Sequence, residues 1–302
     1  MQIESLKVFC DLAETRNFTR TAKLNGVSQS AISQQLSSLE RQFLPWKAGP
    51  EQKKSLLERG NRKCQLTPEG RALYQYSKRI LALYGDLQSR LQETRELISG
   101  TIRVATIYSI GLHDLAPYLK QFLKDYPTVN VQVEYRRANQ VYEDVASNVV
   151  DLGLVAFPAS NKKLEIYPLR EEELVLICHP QHPLAGKKNL PLAALHQQKF
   201  ISFERDIPTR KALDKIFKSH SIQVKHVMEF DNIETLKCAV EIDAGLAIVP
   251  QSTVVQEVKQ GTLAQVTLEG GAFHRPLAAL YQKKKTLTPA IKQFLALLRG
   301  ES

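Results

Sequence analysis

Between positions 17 and 43 the chain reads NFTRTAKLNGVSQSAISQQLSSLERQF, a pattern that fits two short helices joined by a tight turn. Thr19 is placed to N-cap a helix over 20–24, Asn25-Gly26 supplies the turn, and Ser28 is placed to cap a second helix running to about position 42. On that second helix Ile32, Leu36 and Leu39, with the small Ala31, recur at helical spacing and form the buried stripe. Gln29, Ser30, Ser33, Gln34 and Ser37 fall on or near the opposite face. A solvent-facing helix normally carries Lys and Glu, yet this face is uncharged over more than two turns. Hydroxyls and carboxamides both donate to and accept from base edges in the major groove, where the four base pairs differ in pattern. The stretch therefore reads as a helix-turn-helix whose second helix does the reading. A plain helical hairpin with a polar face is the competing interpretation of these residues alone.

The flanks extend this module. Ile3, Leu6, Phe9, Cys10 and Ala13 predict an amphipathic helix over 3–14. Thr67 and Pro68 open a much longer helix, Pro68 being tolerated in a first turn. Along it Leu73, Ile80, Leu87 and Thr94 fall seven apart, Tyr76, Leu83, Arg90 and Leu97 form a second row, and Tyr84, Leu91 and Ile98 flank them. A helix of about 30 residues with such stripes is too long for one small domain to cover, so it is expected to pair with a copy of itself. Packing within one chain is the alternative. Gly85 weakens its interior by about 1 kcal/mol.

Charge points the same way. The 302 residues carry a net +10, and residues 1–79 hold 14 Lys/Arg against 7 Asp/Glu. A basic block at one end suits a polyanion partner, although it also describes a solvated face. Nowhere do about 18 uncharged apolar residues run together, so no membrane span is expected. Glu4, Lys7 and Asp11 interrupt the apolar residues of the N-terminus, which is unlike a signal peptide, and a cytoplasmic protein is expected. Cys10, Cys64, Cys178 and Cys238 lie far apart without metal-ligand spacing, as unpaired thiols in a reducing compartment would.

From Thr101 the pattern changes to alternating strands and helices. Strands are expected over 102–107, 129–135 and 152–157, with helices over 115–126 and 140–148. A second unit follows, with strands over 174–179, 200–203, 224–230 and 246–249 and helices over 192–198, 209–219 and 233–243. A strand over 276–281 and a helix over 289–298 close the chain. This order implies a mostly parallel sheet with helices on both faces, in two lobes with a cleft between them. Ligands of such sheets settle beyond the carboxyl ends of strands. The loops there offer Thr106, Tyr108 and Ser109; Arg136 and Asn139; Ser202, Phe203, Arg205, Thr209 and Arg210; and Asn232. Hydroxyls at helix starts with several arginines suit a small anion, and each residue taken singly is equally well a plain cap or surface side chain.

The chain resembles the LysR-type transcriptional regulators. Phe18-Thr19-Arg20-Thr21-Ala22, Val27-Ser28-Gln29-Ser30-Ala31-Ile32-Ser33-Gln34-Gln35-Leu36, Leu39-Glu40 and Leu66-Thr67-Pro68-Glu69-Gly70 match the family's DNA-binding signature in order. Ala105-Thr106 with Leu115-Ala116-Pro117, Val150 to Leu154, Ala244 to Pro250 and the closing 276–298 stretch resemble its effector domain. The resemblance implies an N-terminal all-α winged helix-turn-helix over 1–66 and a linker and dimerisation helix over 67–98. An α/β effector-binding domain of the type 2 periplasmic-binding-protein fold follows over 101–302. Lobe I of that domain would span about 101–168 and 270–302, and lobe II about 169–269. By resemblance Gln29, Ser30, Ser33 and Gln34 would face bases, while Thr19, Arg20 and the wing residues Arg59, Arg62 and Lys63 would hold phosphates. One departure is visible: about nine extra residues between Glu40 and Thr67, in a stretch that includes Pro45, Trp46, Pro50, Lys53 and Lys54. Lys53 and Lys54 either add backbone contacts or belong to a tolerated surface insertion.

The implied partners are double-stranded promoter DNA, a small-molecule effector (an anion favoured), RNA polymerase, and further copies of the chain as a homodimer or homotetramer. No cofactor, metal, membrane or catalytic residue is expected. A solute-binding transport protein would share the C-terminal fold but needs a secretory signal. An enzyme of two α/β lobes would need a nucleophile motif, P-loop or GxGxxG after a strand, and none is present. His179 and His182, in HPQHP, read as a surface loop rather than a metal site. Effector identity, target genes, activation or repression, and dimer or tetramer are not encoded in any motif.

Overall fold

The computed structural model describes residues 2–44, 55–60, 63–92, 98–269, 273–283 and 285–301. They divide into two compact units, Met1–Gln92 and Glu93–Ser302.

The first unit contains α1 (Ile3–Thr15), α2 (Phe18–Asn25), α3 (Gln29–Phe43), the hairpin β1 (Leu57–Gly60) and β2 (Lys63–Leu66), and α4 (Pro68–Gln92). Its core gathers Leu6, Phe9 and Leu12 of α1, Ile32, Leu36 and Leu39 of α3, and Leu56 before the hairpin. The start of α2 differs from the expectation. Asn17 rather than Thr19 is the cap, its side chain accepting from the Arg20 amide at 3.0 Å, so the helix begins at Phe18. Ser28 caps α3 as expected, accepting from the Ala31 amide at 3.2 Å. Gly26 ends α2 at φ 64°, a left-handed conformation that lets the chain turn at once into α3.

Thr67 joins hairpin to helix: its hydroxyl donates to the Ser55 carbonyl at 2.8 Å and accepts from the Gly70 amide at 3.0 Å. A Cβ at Gly70 would lie 2.0 Å from the Leu56 carbonyl oxygen, so α4 can lie against this segment only with glycine there. Helix α4 packs on the core through Leu73, Tyr74 and Leu81 and is tied to α1 where Tyr74 and Lys78 reach Glu14 at 2.9 and 3.0 Å. Tyr76, Ile80, Leu83, Tyr84 and Leu87 form its exposed row. Thr94 and Leu97 of the expected rows lie outside the described residues, as do Pro45, Trp46, Pro50, Lys53 and Lys54.

The second unit is built on β3 (Gly100–Thr106), α5 (Tyr108–His113), α6 (Ala116–Asp125), β4 (Val129–Tyr135), α7 (Ala138–Ala146), β5 (Leu152–Ala156) and β6 (Leu164–Cys178). It continues with β7 (Lys199–Phe203), α8 (Pro208–Ser219), β8 (Lys225–Phe230), α9 (Ile233–Glu241) and β9 (Ala247–Pro250). It closes with α10 (Val255–Gln260), β10 (Ala264–Val266), β11 (His274–Gln282) and α11 (Pro289–Arg299). The expected helix near 192–198 is a short 3-10 turn, Leu192–Leu195.

The sheet is mixed rather than mostly parallel. β3 pairs in parallel with β4 and β5, whereas β11 pairs antiparallel with β5 and β6, and β6 pairs antiparallel with β9 and β10. The reason is β6. It has 15 residues, enough to reach about 50 Å at ~3.3 Å per residue, and it leaves lobe I beside β11 to enter lobe II beside β9 and β10. Lobe I packs Ile102, Val104, Leu152, Leu154 and Phe122 against Phe294 of α11. Lobe II holds two cores, on either side of β6 and β9, around Phe200 and around Ile201.

A buried carboxylate fastens lobe I. Asp151, 1% exposed, accepts from the Arg103 amide at 2.8 Å and from its guanidinium at 2.9 and 3.1 Å, and pairs with the Lys285 ammonium. Burial alone would push its carboxyl up, but the bonds from Arg103 and the two cations outweigh that and hold it below the usual carboxylate range. Being more acidic folded than unfolded, Asp151 contributes stability above its unfolded value near 4 and loses it as pH falls through the lower folded value. Asp151→Asn is expected to cost about 3–5 kcal/mol in urea unfolding at pH 7, the gap to wild type narrowing below about pH 4. Gly70→Ala is expected to cost about 1–3 kcal/mol, read from the unfolding transition of the first unit.

Candidate nucleic-acid interface and interlobe site

In the first unit Ile32, Leu36 and Leu39 anchor α3, which fixes what the helix presents outward. Gln29, Ser30, Gln34 and Ser37 are exposed and Ser33 half-exposed, giving an uncharged strip along the outer face. The strip is locally ordered by its own contacts: the Thr19 hydroxyl donates to Gln29 Oε1 at 3.3 Å, and the Ser28 and Ser30 hydroxyls lie 2.8 Å apart. Thr19 and Arg20 are exposed in the first turn of α2, beside the start of α3. Asn25 fixes α2 on α1 by donating to Asp11 at 2.9 Å. Arg59 lies on β1 and Lys63 on β2, and Arg62 lies outside the described residues.

Sequence reasoning overlooked the role of Glu40. Its carboxylate accepts from the Ser55 hydroxyl at 2.7 Å and the Leu56 amide at 3.0 Å, docking the approach to the hairpin onto the C-terminal half of α3. The charge of Glu40 near the apolar Leu39 was the available signal.

In the second unit the expected ligand loops divide into residues that face the interlobe region and residues taken up by the lobes. Thr106 is fully buried, its hydroxyl donating to the Ile107 carbonyl at 3.2 Å. Ser202 is buried with its hydroxyl 2.7 Å from His226 Nδ1, and Phe203 and Thr209 are buried too. Burial and the neighbouring Arg210 hold His226 below the usual histidine range. Arg210 is itself buried, donating to the Phe203 carbonyl at 2.8 Å and to Asp214 and Glu229 at 2.8 and 3.0 Å. Tyr108 is exposed and stacked on Tyr135 at 5.5 Å, and Asn139 is exposed on α7. Arg205 is 84% exposed, 3.9 Å from Glu229. Asn232 caps α9 by accepting from the Thr235 amide at 3.1 Å.

Arg136 is paired within its own lobe. Its amide continues the β3–β4 ladder to the Thr106 carbonyl, so its side chain falls on the same side as Glu134, two residues earlier. It pairs there with Glu134 and, at 3.3 Å, with Asp144, both in its own lobe. Arg137, one residue on, crosses instead to lobe II. Its guanidinium lies 3.0 Å from Glu204, 3.0 Å from Asp231 and 3.6 Å from Asp206. The hydrogen bond from Arg137 is the chief cause holding the Asp231 carboxyl below its ordinary range. A second contact joins the lobes where His113 of α5 meets Glu234 of α9 at 2.7 Å.

Beneath this rim lies a charged floor at the crossing of β6 and β11. Arg275 and Glu172 face each other across the ladder, 2% and 9% exposed, with Nη2 2.6 Å from the carboxylate. Arg275 also donates to the Ser109 hydroxyl of lobe I at 3.0 Å, and Glu172 accepts from Ser252 of lobe II. Ser109 is thus the one expected loop hydroxyl that this floor positions. An open cavity of about 580 Å³ adjoins this floor, lined by Glu172 and Ser252 together with Asp114, Glu171, Val255 and Lys259 among others, and by none of the expected ligand residues. Among the described residues no group of three or more His, Cys, Asp or Glu could hold a metal ion, and no helix is long and apolar enough to cross a membrane. Burial pushes the Cys10 thiol up to about 12 and the Cys178 thiol up to about 11.

Comparison with known proteins bears on both regions. The family model of the LysR substrate binding domain matches residues 95–302, and that of the bacterial regulatory helix-turn-helix protein, lysR family, matches residues 3–71. The HTH-type transcriptional regulator CysL of Bacillus subtilis (strain 168) is 26% identical over 300 residues, 99% of this chain and 97% of that protein. Among solved structures, full-length CbnR complexed with its target DNA gives a TM-score of 0.74 at 24% identity, covering 100% of both chains. The CcmR regulatory domain of Synechocystis PCC6803 in complex with 2-PG gives 0.61 at 27% identity, over 66% of this chain and 96% of that one.

Proposed function

Because the chain belongs to the LysR family of bacterial transcriptional regulators, we propose that α3 reads operator bases through Gln29, Ser30, Ser33 and Gln34. Thr19 and Arg20, with Arg59, Arg62 and Lys63 of the wing, hold phosphates on either side. The observation that carries this reading is the uncharged, exposed Ser/Gln strip on a helix whose opposite face is locked into a core. Base edges are met by hydroxyls and carboxamides, while the attraction to the backbone comes from cations on other elements.

Residues 1–66 act as the reading domain, 67–98 as the linker, and 101–302 as the sensor, working on promoter DNA in the cytoplasm with RNA polymerase as the further partner. The exposed row Tyr76, Ile80, Leu83, Tyr84 and Leu87 on α4 is the surface that a second copy covers, at spacings that keep it on one helix face. A homodimer then offers two recognition helices to a two-fold related site. Between the lobes the sensor binds, and releases unchanged, a small anion. The exposed guanidinium of Arg137, with Arg205 nearby on lobe II, supports that class, as does the likeness to the CcmR domain solved with 2-PG.

Binding to the DNA beside its own gene is expected to fall steeply with salt and to exceed binding to random duplex; equal affinity for both would sink the reading. In fluorescence anisotropy Gln29→Ala and Ser33→Ala should each cost about 1–3 kcal/mol of discrimination. Arg20→Ala should weaken cognate and random DNA alike and reduce the salt slope by about one. Leu83→Glu with Leu87→Glu is expected to yield monomers in sedimentation equilibrium, and a persisting dimer would remove α4 as the interface.

A further inference from the structure

Among the described residues Arg137 is the arginine whose ion pairs reach from lobe I to the loops of lobe II. The other arginines near the interlobe region are committed or placed elsewhere. Arg136 is held by Glu134 and Asp144, Arg210 by Asp214 and Glu229, Arg275 by Glu172, and Arg205 stands beside Glu229 in lobe II. Arg137 differs in being about half exposed and in meeting carboxylates that belong to two separate loops, 204–206 and 231–232. A guanidinium offers a planar fork of donors suited to carboxylate or phosphate oxygens. In this structure that fork meets the carboxylates of Glu204, Asp206 and Asp231, oxygens of the same chemical type as an anionic effector would bring.

We propose that Arg137 is the residue that recognises the effector's anionic group, and that Glu204 and Asp231 occupy it as built-in substitutes until an anion displaces them. This rests on the anionic-effector reading above. An anion seated on Arg137 leaves Glu204, Asp206 and Asp231 as uncompensated like charges close to it, so the lobe II rim must move away. Binding is therefore coupled to parting of the rims, while the floor at Arg275 and Glu172 stays closed. Because exposed ion pairs are individually weak, such an exchange is accessible to a ligand with two or more anionic oxygens. The His113–Glu234 contact closes the same rim from the other side and must yield with it.

The test uses the full chain and calorimetric titration with 2-PG, inorganic phosphate and sulfate as probes. Arg137→Ala should lower anion affinity about tenfold or more, the effect of losing one charged donor pair, with Arg137→Lys recovering part of it. Glu204→Gln with Asp231→Asn should raise affinity several-fold in the wild type and have no such effect in the Arg137→Ala background. A gain that persists without Arg137 would show a general field effect and overturn the exchange. Amide exchange over 204–209 and 231–235 should quicken on anion binding; slowing would overturn the parting of the rims. If wild type binds anions and Arg137→Ala binds them equally, Arg137 is excluded and the anionic reading stands. If neither wild type nor the neutralised variant binds any of the three probes, the anionic reading itself falls.

Discussion

The antiparallel pair of β6 and β11 is the element from which both lobes of the sensor hang. Each lobe has its own apolar core, so the join between them is the place where the fold must be specified by something other than burial of hydrocarbon. That something is the buried pair of Arg275 and Glu172. Either charge alone at this depth would cost several kcal/mol, so neither can be lost without the other. The pair also fixes one hydroxyl from each lobe, Ser109 and Ser252. The outcome is a join that is closed by a buried pair at its base and held at its rim by the more solvent-accessible contacts of Arg137 and His113, which are individually weak. A two-lobed sensor needs this inequality, because a floor as weak as the rim would let the lobes separate altogether.

Much of the architecture is legible from pattern. Ser28, the Asn25-Gly26 turn and the Ile32, Leu36, Leu39 stripe place α3 to within a residue of where it lies, since capping, turn chemistry and periodicity agree there. β4 is bounded as expected at Val129–Tyr135, because alternation is unbroken and Pro127 stops the preceding helix. What periodicity misses is the first half of β6. The run Glu171-Glu172-Glu173 precedes the expected strand and has no apolar alternation of its own, yet Glu172 is buried opposite a residue 103 positions later. A charge that is paid for only by a distant partner leaves no local trace. The two α-helical turns at α5 and α10 are hidden for a related reason, being six residues each and held by tertiary packing rather than by their own sequence.

The sensor residues are harder still to read. Arg136 and Arg137 are adjacent and chemically identical, and strand period alone sends them to opposite sides, one into its own lobe and one across the cleft. Telling which is which requires the register of β3 on β4, a long-range fact. Conversely, hydroxyls at the expected loops, Thr106, Ser202 and Thr209, look like open ligand groups in sequence, and all three are buried in the structure. Short polar side chains beside strand ends satisfy backbone and neighbours as often as ligands, and only burial separates the two uses.

The uncharged outer strip of α3 has a consequence for how this regulator can change. Since no formal charge sits on Gln29, Ser30, Ser33 or Gln34, replacing one of them with another neutral residue leaves the long-range field around the reading domain as it was. On the base-reading role proposed for these residues, search along DNA and choice of site are then separately heritable traits. A lineage can drift to a new operator by small neutral exchanges on one helix face, without first losing its hold on the chromosome, and a duplicated copy can diverge in target while keeping the same encounter rate.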